Sequence, residues 1–199
     1  MRQITVTRGG STVPQETDRP PVPPLLSPLF GAAAVRTDSD PSEAVAAWLA
    51  GAHPKPKRVL RHWEAGADEL LPLGGRFAAV RIPGAILHAA VGSDDDQALT
   101  VVARDTLRGP VIAGTYARRR TYWALVPWRA HVYWPSYLTD TPYLGSGSYL
   151  TVPPPTCIKE PIPYWVTPPR YRYDLCSREH VFNVIIRGCS AMSREAGSR

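Results

Sequence analysis

Apolar positions in this chain change their period once, near residue 110. From Asp40 onward they recur at three- and four-residue steps, and Ala44, Val45, Trp48 and Leu49 share one helical face. Asp40-Pro41-Ser42-Glu43 supplies a capping carboxylate, a proline at the first helical position and a Glu three residues after the cap. Gly51 and Pro54 end that helix, and a basic link, Lys55-Pro56-Lys57-Arg58, leads to a second predicted over 59–65. Residues 76–82 read as a buried strand closed by Pro83-Gly84, and 85–91 as a short helix. Ser93 followed by Asp94-Asp95-Asp96 starts another helix, because carboxylates there meet the positive end of its dipole. Leu99, Val102, Ala103 and Leu107 carry it to Gly109-Pro110.

Beyond that point the pattern belongs to strands. Segments 111–113 and 121–126 are short and apolar, 148–152 alternates before three prolines, and 164–166 is fenced by prolines. Residues 181–186 fit a strand or a helix, and the last residues look frayed. Helices in front and antiparallel-looking strands behind predict an α+β domain, helices packed on a mainly antiparallel sheet. Its bounds are read as 37–170. Residues 1–36 form a Pro-rich arm in which Arg19-Pro20-Pro21-Val22-Pro23-Pro24 is a polyproline II stretch. It serves as a leader or as a ligand for a proline-binding partner. Residues 171–199 are an extension whose order the pattern leaves open.

Composition sharpens this picture in two places. The 199 residues include 22 Pro and 15 Gly, yet 44% are hydrophobic, with six Trp and nine Tyr, enough for a packed core. Thirteen of the 18 aromatics lie between residues 116 and 173. Net charge is +6, and the whole excess lies after residue 104: up to that point 11 basic side chains balance 11 acidic ones. A one-sided basic excess suits a polyanion, although 20 Arg against three Lys also fits the codon bias of a GC-rich genome. Cys157, Cys176 and Cys189 form no CxxC and no zinc set, so they read as structural or idle thiols. No signal peptide or apolar run of spanning length appears, which predicts a cytoplasmic protein without a membrane partner.

Three segments carry the candidate chemistry: Gly74-Gly75-Arg76-Phe77-Ala78-Ala79-Val80-Arg81-Ile82-Pro83, Thr115-Tyr116-Ala117-Arg118-Arg119-Arg120-Thr121-Tyr122-Trp123-Ala124-Leu125-Val126-Pro127, and Tyr143-Leu144-Gly145-Ser146-Gly147-Ser148-Tyr149-Leu150-Thr151-Val152-Pro153-Pro154. In this order they resemble the N-terminal catalytic domain of bacterial bifunctional primase-polymerases, of the archaeo-eukaryotic primase superfamily, and its actinobacterial members most. The glycine-rich turn, Tyr-initiated strand and double proline of the third segment carry most of the likeness.

The resemblance implies a carboxylate pair at i and i+2 of one strand, a third carboxylate on a neighbour and a phosphate-contacting histidine. Here those positions hold Arg81, Pro83, Pro142 and Thr121. Asp140 is the only acid near the third position, and a guanidinium at Arg81 repels a metal. The expectation is therefore a primase-polymerase-like domain without catalysis, metal or cofactor, retaining weak binding of single-stranded DNA or nucleotide. Arg118, Arg119 and Arg120 would grip phosphate, Tyr122 and Tyr149 would stack, and Ser146 and Ser148 would lend donors. Each also has a plain structural role: a solvated hairpin turn for the arginines, core packing for the tyrosines, a tight turn for the serine loop. The alternative function is a non-enzymatic interaction module that uses the polyproline arm or an aromatic surface.

Overall fold

Asp40 opens the first helix as its position demands: its carboxylate accepts the Ser42 N–H at 3.0 Å, and Pro41 takes the first helical position. The computed structural model describes residues 40–198, with Asp96 as backbone only. The polyproline run and the rest of the 1–36 arm lie outside the described residues. Helix α1 (Pro41–Ala50) packs on α2 (Pro56–Glu64), which begins three residues before the predicted start because Pro56 serves as its first residue. Next come β1 (Glu69–Pro72), β2 (Ala78–Pro83) and α3 (Gly84–Val91). Asp95 caps α4 (Asp96–Val102), accepting the Ala98 N–H at 2.9 Å, and a π-helical turn at Ala103–Leu107 follows.

The strands β3 (Val111–Tyr116) and β4 (Arg119–Val126) form a hairpin. A short 3-10 turn, Trp128–Tyr133, leads to β5 (Tyr143–Leu144), β6 (Tyr149–Val152) and β7 (Tyr164–Thr167). Strands order as β5-β2-β4-β3-β7 in one sheet and β1-β6 in a second, every pair antiparallel. This is the expected α+β arrangement. Among the described residues, no helix is long and apolar enough to cross a membrane.

The large sheet has a different cover on each face. Val80, Ile82, Tyr122, Ala124 and Val126 pack against Leu87, Leu99, Val181 and Ile185 of the helices. Ala79, Ile112, Leu125 and Trp165 pack on the other side against Trp48, Val59, Trp63, Leu71 and Leu150. The undecided segment at 181–186 is part of a long helix, α5 (Arg178–Gly197). Ser177 caps it, and Val181, Val184, Ile185 and Gly188 are its buried stripe, a 3.6 period that outweighs the β-branched composition. A Cβ at Gly188 would come within 2.1 Å of the Ile86 carbonyl oxygen, so glycine lets α5 seat directly on α3. Residues 171–198 thus contribute to the core and belong with the preceding residues in one compact unit; the boundary drawn at 170 does not divide the packing.

Two details hold this frame. Glu69 is buried at the start of β1, with Arg58 Nη2 3.2 Å from Oε2 and His62 Nδ1 against Oε1. Burial alone would raise its pKa, but the Arg58 hydrogen bond and charge, with His62, outweigh it and hold the carboxyl below its ordinary range. The β3–β4 turn is made by Ala117 and Arg118, both left-handed at φ 49° and 61°, where a two-residue hairpin would favour Asn-Gly.

A depressed carboxylate stabilises the fold fully above its unfolded pKa and loses that contribution as pH falls through the lower folded value. Glu69→Gln is therefore expected to cost about 1–2 kcal/mol at neutral pH and to flatten the acid limb of a urea-stability profile. Parallel acid limbs for the two proteins would refute the assignment. The double change Ala117→Asn, Arg118→Gly is expected to raise stability by about 1–2 kcal/mol by relieving the turn. An unchanged melting temperature would show that the turn stores no strain.

Candidate functional site

Strand alternation sends every second side chain of the central strands to the face opposite α3 and α5. On β2 these are Ala79, Arg81 and Pro83; on β4 they are Arg119, Thr121, Trp123 and Leu125, with Arg81 opposite Trp123 and Pro83 opposite Thr121. The α1–α2 layer and the small sheet cover the Ala79–Leu125 end. Toward the β3–β4 turn this face opens into two adjoining cavities, the second reaching past the end of β2 to α3 and α5. The larger, about 560 Å³, is lined by Arg81, Gly114, Tyr116, Trp123, Ser148 and Tyr149, with Thr151 and Ile162 at its edge. The smaller, about 370 Å³, is lined by Arg81, Pro83, Ala85, Tyr116, Arg119, Thr121 and Asp140, with Met192 of α5.

Arg81 and Tyr116 line both cavities, and the guanidinium lies 4.0 Å from the centroid of the tyrosine ring. At Gly114 a Cβ would come within 2.9 Å of the Trp123 ring, so the missing side chain lets the indole lie over β3 and floor the larger cavity. Tyr149 stands at the mouth, 61% exposed. A flat floor, a stacked cation and an exposed ring are what a planar, anionic ligand requires.

The Arg118-Arg119-Arg120 run does not act as one patch. Arg118 sits in the left-handed turn, and Arg119 faces the smaller cavity. Arg120 points to the opposite face, where it donates to the Tyr164 hydroxyl and pairs with Glu160 at 3.3 Å. Tyr122 is a second correction. It is 1% exposed, its hydroxyl lies 2.9 Å from His88 Nε2, and it offers no face to a base. Both corrections have the same cause: neighbours on a strand cannot share a face.

Ser148 and Tyr149 reach the larger cavity, and Ser146 lines neither. The serine loop is a reverse turn in which the Ser148 N–H donates to the Gly145 carbonyl at 2.9 Å, with Gly147 at φ +85°. It docks on Gly74, where a Cβ would come within 2.3 Å of the Ser146 nitrogen and the φ of +91° already disfavours a side chain. The Ser148 N–H is thus already used by the turn, leaving its side chain as the group available to a ligand.

Arg81, Pro83 and Thr121 line the smaller cavity together, and the Pro142 carbonyl accepts the Arg81 N–H at 3.1 Å. Thr121 is buried and donates its hydroxyl to the Arg119 carbonyl, so its proton is already engaged. Among the described residues, Asp140 is the one acid lining either cavity. Among the described residues no three His, Cys, Asp or Glu side chains gather into a possible metal site. Cys176 is enclosed in the core, where burial pushes its thiol pKa far up; Cys157 and Cys189 are half-buried free thiols. Burial also raises the Tyr143 hydroxyl, which donates to the Trp128 carbonyl.

Tyr116, Gly114 and Trp123 were absent from the expected site. Parity is the signal that could have found Trp123, which stands two residues from Thr121 and four from Arg119. Comparison of the chain with protein-family models, with curated proteins and with solved structures finds no match.

Proposed function

We propose that the chain is a non-catalytic, primase-polymerase-like domain that binds single-stranded nucleic acid across the open face of its sheet. The observation that carries this reading is Arg81 stacked on Tyr116 beside the Trp123 floor, with Tyr149 exposed at the mouth. Bases stack on such rings whatever their sequence, while guanidiniums neutralise the intervening phosphates. Support also comes from the gathering of Arg81, Pro83 and Thr121 at one cavity, with Pro142 bonded to Arg81. The resemblance would bring these positions together, and among the described residues the cavity is lined by one carboxylate, exposed Asp140, where two-metal chemistry needs a cluster.

A second reading rests on the surface around the 3-10 turn. Tyr133 and Tyr137 are 68% and 69% exposed, and Arg178 stacks on Tyr133. Such a surface suits a protein partner, because aromatic and Arg residues anchor interfaces.

Fluorescence anisotropy with a labelled oligothymidylate separates the two. Tyr149→Ala is expected to weaken binding by about 1–2 kcal/mol. Arg118→Ala with Arg119→Ala is expected to lower the salt slope by roughly one unit or more. Arg120→Ala is expected to act through stability instead. No binding at low salt would end this reading and leave the protein partner.

A further inference from the structure

Arg81 and Arg119 are both directed into the smaller cavity, from β2 and β4. Among the described residues neither guanidinium has a carboxylate at salt-bridge distance, whereas Arg58, Arg104, Arg120, Arg170 and Arg178 each have one. Arg81 is also half-buried, where an uncompensated cation raises the potential more than it would in water. Among the described residues the side-chain partner it shows is the face of Tyr116, a contact that leaves the guanidinium edge and its donors able to point elsewhere. Asp140, exposed on the wall, leaves the cavity with an excess of positive charge. Ala85, in the first turn of α3, adds the positive end of that helix, whose cap residue Pro83 has no side-chain acceptor. The helix end only reinforces a field that the two arginines make.

We infer that the smaller cavity is an anion site that holds a phosphate or diphosphate group by Arg81 and Arg119 without a divalent cation. This rests on the nucleic-acid reading and deepens it. Guanidiniums match phosphate oxygens with two parallel hydrogen bonds each, a geometry a metal is not needed to organise. A volume of about 370 Å³ admits a phosphate or a diphosphate. The attached nucleoside would pass over the Arg81–Tyr116 wall into the larger cavity. The phosphate could belong to a strand terminus or to a free nucleotide, and both present the same dianionic group.

The test is calorimetry with inorganic pyrophosphate in the presence of EDTA, beside anisotropy with 5′-phosphorylated and unphosphorylated oligothymidylate. Pyrophosphate is expected to bind at one site per chain with the chelator present, and Arg119→Gln is expected to weaken it by about tenfold or more. Arg119 is exposed on the hairpin, so this variant keeps the core intact; Arg119→Lys should recover part of the loss, and Asp140→Asn should tighten binding. Preference for the phosphorylated oligonucleotide identifies a strand terminus as the source, and displacement of pyrophosphate by a nucleoside triphosphate with no such preference identifies free nucleotide. Oligonucleotide binding without pyrophosphate binding, or pyrophosphate binding only with magnesium, would overturn the anion site and leave the nucleic-acid reading standing. Pyrophosphate binding with no oligonucleotide binding would overturn that reading and keep the anion site.

Discussion

The pairing of β2 with β4 decides what every other element must do. Its register sets Arg81 beside Trp123 and Pro83 beside Thr121 on one face, and Ile82 beside Tyr122 on the other. The second face is apolar from Tyr122 to Val126 and from Ala78 to Ile82 and has to be covered, which α3, α4 and α5 do. The first face is apolar only at one end. There α1, α2 and the β1–β6 pair close it, and where Arg81 begins the apolar pattern stops and so does the cover. The open cleft is thus the part of a sheet face that the sequence makes unsuitable for a core.

Arg81 sets the electrostatic character of the open face. A guanidinium at this strand position makes the local field positive. The strand geometry does not depend on it, since alternation and register follow from backbone pairing. A cation there favours anionic over cationic ligands. The side chain is accommodated by stacking on Tyr116, a partner that attracts the cation without removing its capacity to donate hydrogen bonds.

Much of this was legible from residue order. The Asp40 cap, the Asp95 helix start and every strand that the pattern marked from 76 onward appear in place, because capping and alternation are local physics. The short β1 and β5 strands carry too few residues to declare a period, and β5 lies next to β2 only because the chain returns from far away. The segment at 181–186 was ambiguous because Val and Ile favour strands, and the buried stripe resolves only over all of α5. The site was half legible. Arg81, Arg119, Ser148 and Tyr149 reach the cavities, while Arg120 and Tyr122 were grouped with them by adjacency, which a pleated strand forbids. Tyr116 and Gly114 depend on the hairpin register, which no local pattern of β3 reveals.

The seat of α5 on α3 at Gly188 has a consequence for how the molecule comes into being. One turn beyond that glycine, Met192 forms a wall of the smaller cavity, whose other walls begin at Arg81. A nascent chain can therefore complete its sheet while the cleft still lacks a side. Only when α5 has left the ribosome does the enclosure exist, so the cavity takes shape after the sheet that floors it.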